Sequence, residues 1–162
     1  MSVIFNVVIR RNVKISLKRF LSYFRGFEKV EAVREIFGDE TEKVLKDLKV
    51  EFFSRRGYMG VSNEDGHLLV SADYLKNGDE RDIYLDIIHE LVHVKQHMNG
   101  VGLQDHRFAY CDRPTEIEAF SQAVKEARRL GMTDKEIYEY LHTDWMIEED
   151  VKKLADALNV KP

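Results

Sequence analysis

The residues with the clearest chemical potential in this sequence form one short run, His89-Glu90-Leu91-Val92-His93. Side chains four apart lie on one face of a helix, so both imidazoles can reach a single cation at about 2.1 Å. A glutamate directly after the first histidine can contact a water in the cation's open coordination position. The run therefore points to metal-assisted hydrolysis with Glu90 as general base. His97 continues the same face, but eight residues of helix span about 12 Å, too far for it to join His89 on one ion. It reads as a peripheral or solvent-facing histidine. Gln96, three residues after His93, can hydrogen-bond near the site.

A third ligand has to come from elsewhere. A glycine and a third histidine at the positions of Gln96 and Asn99 would mark one zinc-protease class, and this sequence has neither. Cys111 follows the motif and reads as a small buried thiol. The segment Pro114-Thr115-Glu116-Ile117-Glu118-Ala119-Phe120 offers two glutamates. On a helix, Glu116 shares its face with Ala119, Phe120, Ala123 and Ala127, small residues that allow close approach to another helix. Glu118 shares its face with Ser121, Gln122, Lys125 and Arg129, a solvent face, and Thr115 with Glu118 reads as a capping box. The face argument favours Glu116. His106, Tyr110 and His142 are candidate donors to a developing oxyanion.

At the level of words, HELVHVKQ followed after a short loop by RPTEIEAF resembles the gluzincin clan of zinc metallopeptidases. Within it the chain is similar to the very small minigluzincins, and also to ImmA/IrrE-type regulatory peptidases, which share the motif and a downstream glutamate helix. The resemblance covers roughly residues 66–130. It implies a zincin-like fold and one zinc ion per chain on His89, His93 and Glu116, with Glu90 catalytic. The implied substrate is a peptide or protein. It also implies the option of a latent form whose terminal segments cover the cleft. The alternatives are a site-specific regulatory peptidase and a non-catalytic zinc-binding protein.

The elements that must position these residues are legible to different degrees. Asp79 is a good N-cap for a helix over 80–98, stopped by Asn99-Gly100. A loop over 101–114 leads to a helix from about 115 to 130. Thr133 and Asp144 read as caps of helices near 134–142 and 145–158. Upstream, Tyr58–Ser62 and His67–Ser71 flank Asn63-Glu64-Asp65-Gly66, a hairpin signal. Residues 68–72 are a candidate sheet edge for pairing with an extended peptide. Residues 3–9 and 50–54 read as strands, and 14–24, 27–37 and 40–48 as helices. The expectation is one α+β domain over 1–162, a small, mostly antiparallel sheet packed on helices, with helical flanks over 1–50 and 132–162.

Composition bounds the rest. The 162 residues suit one domain with a full core. The net charge of −4 argues against nucleic acid as the main partner. The pairs Arg10-Arg11, Arg55-Arg56 and Arg128-Arg129 read as solvated. One cysteine excludes an internal disulfide, no apolar run reaches bilayer length, and the N-terminus reverses the order of a secretory signal. A cytoplasmic protein that engages no membrane is expected.

Overall fold

The computed structural model describes residues 2–4 and 6–162, with side chains from residue 6 onward. The chain is α+β, built from two small sheets and a set of helices. The smaller sheet is antiparallel, ordered β1 (Ser2–Ile4), β2 (Val7–Ile9), β4 (Phe24–Arg25). The expected strand over 3–9 is thus a hairpin, turning at Asn6 with φ 67°, a conformation that asparagine tolerates better than most residues.

The larger sheet is ordered β3 (Ser16–Arg19), β5 (Lys49–Phe53), β7 (Leu68–Ser71), β6 (Met59–Val61). It is mixed rather than mostly antiparallel, because β5 and β7 pair in parallel. The hairpin expected around Asp65-Gly66 forms as the β6–β7 pair. Gly66 sits at φ +78°, and a Cβ there would stand 2.6 Å from Nδ1 of His97, so only glycine fits the turn. The strand proposed as the edge, β7, lies inside the sheet. The edge on that side is β6.

The flank over 1–50 is not simply helical. The helix expected over 14–24 is replaced by β3, a single turn α1 (Phe20–Tyr23), and β4. Phe20 and Phe24 do meet, with ring centroids 5.1 Å apart, but they meet around one turn. The residues before them pair with β5 instead. Of the helix expected over 27–37, only α2 (Glu31–Phe37) is α-helical; Phe27–Lys29 form a separate 3-10 turn, broken off by the extended Val30, while α3 (Thr41–Asp47) follows as expected. A short helix that sequence reasoning missed, α4 (Ala72–Asn77), is capped by Ser71, whose side chain accepts from the Tyr74 amide.

Helix α5 (Glu80–Met98) is the spine of the molecule. Asp79 caps it by accepting the Asp82 amide. Ile83, Leu85, Ile87, Ile88 and Leu91 are fully buried, each contributing about 1.5–3 kcal/mol by leaving water. Helix α6 (Pro114–Arg129) packs along α5 through Ala119, Ala123 and Ala127, all fully buried. At the far end of this contact, the Tyr84 hydroxyl donates to the buried Glu126 carboxylate at 2.5 Å. α7 (Asp134–Leu141) begins with the Thr133–Glu136 capping box, and α8 (Glu148–Ala157) completes the chain. Asp144 does not cap α8. The N-cap is Ile147, and Asp144 accepts the Tyr58 hydroxyl instead. One hydrophobic cluster runs from Val7 to Val160. No helix among the described residues is long and apolar enough to cross a membrane.

Arg55 and Arg56 are exposed, as expected, but the other two arginine pairs are more committed. Arg11 donates to the carbonyls of Leu75 and Gly78. Arg128 pairs with Asp134, and Arg129 joins α6 to α2 through Glu35.

Candidate metal centre

The buried face of α5 carries His89, Glu90 and His93, which are 6%, 8% and 5% exposed. Their ligating atoms lie within 4.8 Å of one another. Across the α5–α6 contact stands Glu116, 8% exposed. Its Oε1 is 3.0 Å from Nε2 of His89 and 3.1 Å from Nε2 of His93. One carboxylate oxygen thus converges with two imidazole nitrogens contributed by a different helix. Donors arranged around a tetrahedral ion with bonds of about 2.0–2.1 Å stand roughly 3.3 Å apart, close to the separations found. The two-histidine, one-glutamate donor set is that of catalytic rather than structural zinc sites, which use four protein ligands. The residues fit such an ion. Glu90 stands beside the cluster, and Glu116, shared by both imidazoles, closes it.

The orientation of each side chain has a local cause. His93 is held by Gln96, whose Oε1 accepts from Nδ1 at 2.7 Å, leaving Nε2 to face Glu116. Gln96 is anchored in turn, its Nε2 donating to the Thr115 carbonyl at 3.0 Å and to Glu118 at 2.9 Å. His89 packs its ring on Phe120, centroids 4.3 Å apart. Its buried Nδ1 has no partner.

Glu116 is buried and Glu118 exposed, as their helix faces predict, but the expected capping box does not form. Pro114 is the first residue of α6, Arg113 is the N-cap, and no side chain caps it. Thr115 therefore lies one residue inside the helix, and Glu118 serves as the acceptor for Gln96.

Burial and charge set the proton affinities. Burial alone would raise the Glu116 pKa, but hydrogen bonds from His89 and His93 overcome it and hold the carboxyl well below the usual range. Burial opposes protonation of His93, yet its bond to Glu116 carries the imidazole up to about 9. Burial pushes Glu90 upward, the direction a general base near neutral pH requires. Tyr110 is raised by burial first, then by Glu116 and Glu90. It remains a protonated donor.

Two cavities meet at His89 and Glu90, with Met59, Tyr110 and Trp145 common to both. One extends past Glu116 and Arg113 along β6, where Met59, Gly60 and Val61 form its wall. The other runs toward α7 and contains Asp86, Tyr140 and His142. Among the oxyanion candidates, Tyr110 lies in both cavities. His142 lines one and bonds Glu148 at 2.9 Å, and His106 is exposed and lines neither. Cys111 is buried and lines neither cavity. His97 sits under the hairpin turn, near the Asn63 carbonyl. Sequence reasoning missed Asp86, Tyr74, Tyr140 and Trp145 as residues of the cleft. The available signal was weak: Asp86 precedes His89 by three positions and so shares its face.

No protein-family model, no curated protein and no solved structure matches this chain.

Proposed function

We propose that this chain is a zinc-dependent peptidase of gluzincin type with a zincin-like fold. His89, His93 and Glu116 would hold one Zn2+ per chain, and Glu90 would act as general base. The observation that carries the reading is the convergence of the Glu116 oxygen on two imidazoles from a separate helix, with a second buried glutamate alongside. A bound zinc ion supplies Lewis acidity that polarises a carbonyl and acidifies water. Glu90 takes the proton from the attacking water and returns it to the leaving amine. Tyr110 donates a hydrogen bond to the oxygen on which charge develops. The open edge of β6 pairs with an extended peptide. Gln96 holds His93 in register.

A latent form of the same enzyme is favoured by one feature. Trp145 lies over the cleft, its ring 5.3 Å from Tyr58 and 5.9 Å from Tyr110.

Elemental analysis after zinc reconstitution, with peptide hydrolysis by wild type and Glu90→Gln, tests the reading. About one zinc per chain is expected in both proteins. Hydrolysis should fall about 10²–10⁴-fold in the variant. Absence of metal, or equal hydrolysis, would overturn the assignment. Should the wild type be inert with zinc bound, Trp145→Ala is expected to release activity. A zinc-loaded Trp145→Ala protein inert on a broad peptide library would leave the non-catalytic reading.

A further inference from the structure

On the α7 side of His89 and Glu90 the cleft closes into a cavity of about 260 Å³ with a one-sided chemistry. Asp82, Asp86, Glu139 and Asp144 line it together with Glu90, and no Lys or Arg does so among the described residues. The cavity on the other side differs, since Arg113 lines it.

The second component is aromatic. Tyr58 stands between Tyr74 and Trp145, centroids 4.9 and 5.3 Å away and both edge-on. Aromatic faces attract a cation, more strongly when it is desolvated. Within this wall, Asp86 accepts the Tyr74 hydroxyl at 2.5 Å and the Tyr140 hydroxyl at 2.7 Å. These two bonds fix the carboxylate before any ligand arrives, so little is lost in ordering it on binding. Burial pushes its carboxyl up to about 6 despite the two tyrosines and the neighbouring His89, and no Lys or Arg among the described residues of the lining pairs with it. The Thr143 hydroxyl in the same lining is buried and has no partner either.

We propose that this cavity is a specificity pocket for one cationic group of the substrate, an ammonium or guanidinium held between the aromatic rings and the Asp86 carboxylate. The proposal rests on the peptidase reading of the adjoining centre and names the substrate class that centre would take. The volume lies below the roughly 300 Å³ at which small-molecule pockets usually begin, so it admits one side chain or one terminal residue. A substrate carboxylate entering there meets five carboxylates and is rejected. The cation has two sources, a Lys or Arg side chain within a peptide or the free α-amine of its first residue.

Trp145 is the only tryptophan in the chain and lines the cavity, so its fluorescence reads occupancy without turnover. The full chain, metal-free and zinc-reconstituted, is titrated with three probes. N-acetyl-arginine amide carries only the guanidinium, leucine amide only the α-amine, and N-acetyl-norleucine amide neither. At least one cationic probe should bind about 10-fold or more tighter than the neutral one, and Asp86→Asn should abolish most of that preference. The probe that wins identifies the source. Asp82→Asn should reduce the preference by about threefold and serves if Asp86→Asn does not fold. Equal binding of all three probes, no response to any, or a preference unchanged in the variants would overturn the pocket. Failure of the peptidase reading is distinguishable. A chain that selects the cation but hydrolyses nothing, as wild type and as zinc-loaded Trp145→Ala, sinks that reading and keeps the pocket. A chain that cleaves Lys-, Leu- and Glu-containing peptides equally and shows no fluorescence preference sinks the pocket alone.

Discussion

Replacing Gln96 tests whether its hydrogen bonds hold the geometry of the centre. Gln96 is 5% exposed and makes three side-chain bonds, to His93 Nδ1, the Thr115 carbonyl and Glu118. Gln96→Met keeps the volume and removes all three. At about 0.5–1.5 kcal/mol each, the metal-free protein should lose about 2–4 kcal/mol. For a chain of this size that is a fall in Tm of roughly 5–15 °C. The His93 ring also loses its orienting partner, and such outer partners are worth about 10–100-fold in metal affinity. Gln96→Glu separates the two effects. It keeps an acceptor for His93 but loses the donor to Thr115 and faces Glu118, so zinc affinity should stay near wild type while stability falls. Chelator competition measures affinity, and thermal unfolding of the metal-free protein measures stability. Zinc affinity within about twofold of wild type in Gln96→Met, or an equal loss in both variants, would refute the reasoning.

Glu116→Ala should weaken zinc binding by about 10²-fold or more, whereas Glu118→Ala, which frees only one bond to Gln96, should cost a few-fold; the reverse order in chelator competition would mean that Glu118 is the ligand. Tyr110→Phe should keep zinc and change KM little while lowering kcat about 10²–10³-fold, and an unchanged kcat in steady-state assays would remove Tyr110 from the mechanism. Glu35 ties α2 to α6, and its bonds to Lys125 and Arg129 lower its carboxyl from the ordinary 4.5 to about 2. A depressed pKa stabilises the fold above 4.5, and that contribution is lost as pH falls from 4.5 to 2. Side-chain exposure of 31% limits it to about 1 kcal/mol. Denaturant unfolding should find Glu35→Gln destabilised at pH 7 and nearly equal to wild type at pH 2.5, and a constant difference across that range would contradict the sign.

The parts of the molecule legible in its sequence are those fixed by neighbours on one helix. Asp79, the apolar positions of α5 and the glycine at its end are local signals, and α5 forms with the expected bounds. The burial of Glu116 and the exposure of Glu118 are local too, because a face of alanines and a face of charges differ within two turns. Strand pairing is not local. Leu17, Phe20 and Phe24 have helical spacing, yet residues 16–19 form β3 because β5, some thirty residues on, supplies a partner. The parallel β5–β7 pair places β7 inside the sheet and β6 at its edge, an order that no alternation pattern within either strand encodes.

Two runs of the same type show where local reading stops. Thr115-x-x-Glu118 and Thr133-x-x-Glu136 carry one capping signature. The second forms the box. The first does not, because Pro114 is favoured at the first helical position and draws the helix start two residues earlier than a Thr115 cap would place it, leaving Thr115 inside. Glu118, released from capping, reaches Gln96 and through it His93. Asp86 follows the same logic on the other side of the motif. Its place on the histidine face is set by α5, but its partners Tyr74 and Tyr140 stand 12 and 54 residues away. The residues that would bind metal are therefore encoded by spacing along two helices, while those that shape the cleft around it are encoded by the packing of helices and loops against each other. Substitutions of the first kind should be read out in metal affinity, and those of the second, Asp86 and Trp145 foremost, in what the cleft accepts.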